Sequence, residues 1–265
     1  MLARMFQGIW QYRGFVAGSV RREFESRYRG SMLGAAWTVL NPLAMILVYT
    51  VIFSEVMRAR LPGVDDRMAF GVFICSGLLT WGLFSEVVGR SLTMFLDNAN
   101  LLKKLNFPRI CLPVVSVLNA LVNFAIIFAL FCGFLAITGR LPGIALLAFP
   151  VLLLLQLLFA CGLGMLLGVL NVFFRDVGQL FGILLQFWFW FTPIVYPTSI
   201  LPESIRRLIQ LNPMTPLIQS YQNLFLYGHW PVWTDLLPLL LSALVLCILA
   251  LALFRSRSGE MVDEL

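Results

Sequence analysis

Residues 183–197 read ILLQFWFWFTPIVYP, with five consecutive aromatics at Phe187, Trp188, Phe189, Trp190 and Phe191. Each helical residue turns by about 100°, so five rings in a row point to every side of a helix. Packing against one neighbour requires a single apolar stripe. The remaining rings must meet lipid, a second subunit or a conduit. Pro193 and Pro197 end the segment, because proline lacks a backbone donor and clashes with the preceding turn. One reading is an aromatic belt at a membrane–water interface. The other is a set of rings lining the path of a large amphipathic substrate, a surface that suits rings with an apolar face and, in Trp, an N–H donor.

The rest of the chain is equally apolar. Of 265 residues, 60% are hydrophobic and 12% charged, about half the charge of a soluble domain. The expected class is an all-α polytopic membrane protein. The net charge of +6 reads as membrane orientation and not as a nucleic-acid surface. The five cysteines are odd in number, form no CxxC and lie mostly in apolar runs, against a disulfide framework or metal site. The first 30 residues show no continuous apolar core of a signal peptide.

Outward from the aromatic run, apolar segments at about 33–56, 69–95, 110–137, 144–170, 178–196 and 236–254 give six expected spans. Pro42 should kink the first or divide it. Residues 1–32 alternate apolar and basic positions at helical spacing. With Trp10 on one face and Arg21, Arg22 and Arg29 among the basic residues, they describe a helix lying in the membrane interface; Gly14 and Gly18 should break or bend it. Residues 198–234 hold Pro202, Pro213, Pro216 and Pro231 and should form two short helices dipping into the bilayer. Irregular backbone at that depth needs protein or water around it. A charged tail occupies 256–265. Six spans put both termini on one side. Assigned to the cytoplasm, that side carries twelve Lys and Arg against six outside, as the positive-inside rule requires.

Residues 97–109, DNANLLKKLNFPR, make a short polar excursion with an apolar ridge at Leu101, Leu102, Leu105 and Phe107. A plain connector has no use for such a ridge, so a docking helix is expected near 97–108. Gly164/Gly168 and Gly178/Gly182 form two GxxxG pairs, a spacing that lets helices approach closely. Glu86 and Arg90 sit four apart in the favoured order for a helical pair, near one interface, as a snorkelling arginine and its local partner. His229 has no carboxylate partner in sequence.

The chain has no GxxxxGK[ST], HExxH or GxSxG motif. Energy for any transport must come from another subunit. A membrane glycosyl- or acyltransferase would have only Glu86 and His229 as candidate catalytic groups.

Four stretches, YRGSMLGAAWTVLNP at 28–42, NANLLKKLNFPR at 98–109, NVFFRDV at 171–177, and PIVYP with NPMTPLIQSY across 193–221, resemble the permease subunits of bacterial type-2 ABC exporters of polysaccharides. They occur in that family's order across nearly the whole chain. The match looks most similar to O-antigen exporters, with capsule, teichoic acid, drug or lipid exporters as alternatives. The resemblance implies an inner-membrane homodimer working with two copies of a separate ATPase, which would bind the ATP and Mg; this chain would bind no cofactor. The cargo would be a glycan on a polyprenyl diphosphate lipid. Leu101, Leu102, Lys103, Lys104, Leu105 and Phe107, with Arg175 and Asp176, would couple to the ATPase. Phe187, Trp188, Phe191 and Tyr196 are the expected conduit residues, with Phe189 turned away from them.

Overall fold

A computed structural model describes residues 10–27, 33–52, 67–104 and 111–264. Expectations for Arg29, Leu105 and Phe107 lie outside the described residues. The described residues are helices joined by turns and short irregular links, with no strand among them. The helices are α1 (Arg13–Arg27), α2 (Trp37–Val51), α3 (Arg67–Asp97), α4 (Ala99–Lys104), α5 (Cys111–Ile137) and α6 (Phe149–Phe173). They continue with α7 (Asp176–Trp190), α8 (Glu203–Gln210), α9 (Met214–Tyr227), α10 (Leu237–Arg257) and α11 (Glu260–Glu264).

Among the described residues, four stretches are long and apolar enough to cross a membrane: Met68–Asp97, Cys111–Ile137, Gly143–Phe173 and Trp233–Arg257. Two of the expected spans are represented among the described residues by shorter helices. α2 and α7 each have 15 residues, which is about 22 Å of helix against a hydrocarbon core of about 30 Å. Pro42 lies inside a continuous α2, so it does not divide the segment. α1 runs unbroken through Gly14 and Gly18, contrary to the expected break. Neither position meets a constraint that would bend the helix, since a Cβ at Gly14 would touch nothing and one at Gly18 would meet only the Arg22 side chain.

α3 is the central post. Its rings and branched side chains, among them Phe70, Ile74, Phe84 and Val88, are buried against α5, α6 and α9. α6 reaches it most closely. A Cβ on Gly164 would sit 2.7 Å from Ser91 Cβ, and one on Gly168 would collide with the Ser91 carbonyl. The first GxxxG pair is therefore a true close contact. The second is not: Gly178 faces Asn171 on the neighbouring turn, and Gly182 faces open space. α10 packs along the other side of α6, where Gly162 meets the backbone of Cys247. α5 ends at a turn where Gly139 (φ 69°) and Gly143 (φ 59°) take left-handed conformations that glycine alone adopts freely.

Candidate functional site

The bundle has two distinct ends. One holds Lys103, Arg175 and Arg255 and is called the basic end here. The other holds the end of α7 with α8 and α9, and is called the aromatic end.

At the basic end, α4 lies against a compact cluster of Met94, Phe95, Leu112, Met165, Val169, Val172, Ala250 and Met261. Leu102 is buried in this cluster, and Leu101 packs half-buried beside it. The expected docking ridge thus turns its Leu101–Leu102 side inward to its own chain. The turn is made at the single-residue break between α3 and α4, where Asn98 Nδ2 donates to the Met94 carbonyl at 2.8 Å. Lys103 and Asn100 are left exposed on the outer side. Beside them is the α6–α7 turn. Asn171, buried, donates from Nδ2 to the Leu92 carbonyl (2.9 Å) and accepts from the Gly178 N–H (2.8 Å). That double clamp presents Phe174, Arg175 and Asp176 outward, all exposed. α1 crosses this end on Val16, which packs with Cys111 and Val115 of α5. Arg21 and Arg22 are exposed on it, and the Arg13 guanidinium stacks 5.3 Å from the ring of exposed Trp10. The hydrogen bond and charge of Glu25 push the Arg21 pKa upward, so this residue is cationic throughout the physiological range.

At the aromatic end the five rings divide. Phe187, Trp190 and Phe191 are exposed and continue an open apolar stripe with Leu180, Ile183 and Leu184. Trp188 does not join Phe187 and Phe191 on that face. Its ring sits 5.3 Å from Phe84, 6.1 Å from Trp81 and 6.4 Å from Phe159, in edge-to-face geometry. Its Nε1 donates to Asn212 Oδ1 at 2.9 Å. Phe189 packs on Trp81 at 5.9 Å. The expected stripe of Phe187, Trp188 and Phe191 is corrected accordingly: Trp188 is fixed by the rings of α3 and α6, and Trp190 takes the outward place. Tyr196 is half-buried and donates to the Trp190 carbonyl at 2.7 Å, closing the turn after α7.

Asn212 organises this end. Besides accepting from Trp188, its Oδ1 accepts from the Met214 N–H (3.0 Å), and its Nδ2 donates to Thr192 Oγ1 (2.9 Å). Gln222 donates to the Pro193 carbonyl at 3.1 Å. The broken backbone at Pro193 and Pro213 is thereby satisfied by side chains of α9 and the α8–α9 turn, as burial demands. The two short helices expected in 198–234 are present as α8 and α9, and α9 is largely buried.

Between the two ends is a polar group that the sequence only half discloses. Arg90 Nε donates to Glu86 at 2.9 Å, as the spacing suggests. The same guanidinium also pairs with Glu23 of α1. Asn119 donates to Glu23, and Asn123 donates to Glu86 Oε2 at 2.6 Å. Three helices are joined by five polar side chains. The available signal was Asn119 and Asn123, four apart in an otherwise apolar α5 and therefore on one face. No group of His, Cys, Asp and Glu suited to a metal occurs among the described residues. His229 stacks on Tyr227 at 5.6 Å.

Comparison with known proteins places these features in context. The sequence pattern of the ABC-2 type transporter family matches residues 16–226. An O-antigen export system permease protein, RfbA, of Myxococcus xanthus is 38% identical over 266 aligned residues covering both chains in full. Its Klebsiella pneumoniae counterpart is 32% identical over 208 residues, 78% of each chain. A polysialic acid transport protein, KpsM, of Escherichia coli is 23% identical over 244 residues, 92% of this chain and 93% of that one.

Proposed function

This chain belongs to the ABC-2 type transporter family, and from that membership we propose that it is the permease subunit of an exporter that carries an O-antigen polysaccharide across the inner membrane. The observation that carries the reading is the end-to-end match, at 38% identity, to the O-antigen export permease of Myxococcus xanthus. The chain is a transport component. ATP hydrolysis falls to a separate ATPase, two copies of which serve a permease homodimer.

The geometry supports a division of labour. Lys103, on α4 anchored by buried Leu102, and Arg175 and Asp176, on the turn clamped by Asn171, are exposed charged groups at the basic end. A rigid charged turn suits transmission of motion from a soluble partner, with Leu105 and Phe107 completing the contact. In this arrangement both termini are cytoplasmic, α1 lies in the interface, α2 and α7 complete six spans, and α8 and α9 re-enter from outside. The exposed stripe of Phe187, Trp190 and Phe191 borders the path shared by two copies. Aromatic faces suit sugar rings, while lipid outside meets the polyprenyl diphosphate carrier.

The test is deletion of the gene in its own host, followed by complementation. Loss of surface O-antigen with accumulation of lipid-linked polymer inside the cell is the expected result, restored when the gene is supplied again in that host. Unchanged surface O-antigen in the deletion strain refutes the reading. Loss of a capsular polymer instead would point to the substrate type named for the polysialic acid relative.

A further inference from the structure

α4 has six residues, far below the roughly 12–15 at which an isolated helix holds in water. Its helical form must come from what it packs on. Among the described residues its main partners are α3, the helix before it, and α11, which arrives from the other end of the sequence. α3 holds the start of α4 through the bond from Asn98 to the Met94 carbonyl. The support beneath Leu102 is different. Leu102 is 7% exposed and Met261 1% exposed, in one cluster with Met165 and Val172 of α6. α11 has five residues, EMVDE, and packs on α6 as well as on α4. Glu260 and Glu264 of α11 are exposed, and Met261 is its side chain that enters the cluster.

The place of Met261 is fixed from behind. Phe254 of α10 stacks on Phe95 of α3, with 5.9 Å between centroids and 18° between planes. Ala250, one turn earlier, is buried in the same cluster. The chain then turns at Ser258 and Gly259, and Arg257 pairs with Glu260 across that turn. A span, a closed turn and one buried methionine form a continuous strut from α10 to the inner side of α4. Methionine suits the contact, because an unbranched thioether fills an irregular gap where several helices meet. α10 in turn rides on α6. The strut therefore ties α4 to the α6–α10 pair as well as to α3. A short helix held only at Asn98 would rock about that end; the second support gives it one pose, with Asn100 and Lys103 outermost.

We propose that Met261 is a positioning residue for the ATPase contact: from α11 it holds α4 in the pose that turns Lys103 towards the partner. This rests on the reading above, in which Lys103 belongs to the coupling surface. Met261 touches neither cargo nor nucleotide and acts through α4 alone.

The test uses the full chain co-expressed with its partner ATPase and purified from membranes. Two variants remove the strut by different routes. Met261→Asp places a carboxylate in the apolar cluster, where an unpaired charge is costly, and a chain ending at Gly259 lacks α11 altogether. Hydrogen exchange at the amides of 99–104 should quicken about tenfold in both, as local opening becomes easier, while 176–190 stays protected. The ATPase copurified per permease should fall in both, as in Lys103→Glu. Met261→Leu should keep both signals. Gly164→Ala, which strains the α3–α6 contact instead, is the control for stability: it should lower the thermal transition and leave the copurified ATPase unchanged. Unchanged exchange at 99–104 in both strut variants overturns the inference. Full ATPase recovery with a loosened α4 also overturns it, and leaves the coupling reading standing if Lys103→Glu still loses the ATPase. Full recovery in Lys103→Glu as well would remove that reading and the inference together. An equal loss of ATPase in Gly164→Ala would reduce Met261 to ordinary packing.

Discussion

Gly164→Ala sets the packing argument its sharpest test, because the chain supplies its own control. The new methyl carbon would lie 2.7 Å from Ser91 Cβ, an atom fixed to the α3 backbone. Carbon atoms rest at about 3.5–4.0 Å, so the α3–α6 pair must open by roughly 0.8 Å or more. Overpacking of this kind costs about 1–3 kcal/mol, and a rigid partner puts it near the upper limit. Alanine recovers about 1 kcal/mol of helix propensity. The net loss should be about 2 kcal/mol. Gly182→Ala carries the same propensity gain in an identical GxxxG spacing, but its Cβ meets nothing within 4 Å. It should gain up to about 1 kcal/mol. At about 2–4 °C per kcal/mol, the two variants should separate by about 6–12 °C. The assay is the temperature at which the purified protein in detergent loses its monodisperse elution peak. Equal shifts in the same direction would refute the reasoning, because spacing alone would then govern both sites.

Three further outcomes follow from the sites. Trp188→Phe should lower the same transition by about 1 kcal/mol through loss of the bond to Asn212, whereas Phe187→Ala and Phe191→Ala should leave it within about 0.5 kcal/mol and reduce surface polysaccharide per membrane-inserted protein; equal stability losses at all three would return the run to a simple belt. Arg175→Glu, on an exposed turn, should leave folding unchanged and weaken copurification of the ATPase, and intact copurification with intact export would remove this turn from the coupling surface. Arg90→Met leaves Glu23 and Glu86 facing each other in a partly buried setting; the loss should be about 2 kcal/mol, below the 3–5 kcal/mol of a fully buried pair because the arginine is 24% exposed, and an unchanged transition would show that the pairing carries no stability.

Periodicity and length are visible in composition, and so the helical class, the long apolar columns and the two short helices before α10 could be read directly. Rotation about a helix axis is not visible in that way. Nothing in FWFWF distinguishes Trp188 from Trp190; the distinction comes from Trp81, Phe84 and Phe159, which lie on two other helices. The same holds for the glycine pairs, equal in spacing and unequal in what faces them. Glu86 and Arg90 could be paired because four residues separate them, but Glu23 reaches Arg90 across 67 positions, beyond any local rule. Leu102 shows the converse limit. An apolar ridge on a polar turn is open to a partner or to its own chain, and Met261, arriving from α11, is what covers it.

The groove at Gly162 has a bearing on how the protein is made. α10 packs along α6 and brings Cys247 against that glycine, yet the whole stretch from Asp176 to Leu236 is synthesised between the two helices. At roughly 5–20 residues per second, α6 waits in the bilayer for about 3–12 s with its glycine face uncovered. During that interval the insertion machinery or lipid must shield it. Ribosome-stalled chains ending at residue 236 should therefore crosslink through position 162 to that machinery, and chains extended past Arg257 should not. Persistence of the crosslink in the longer chains would mean that α10 docks only after release.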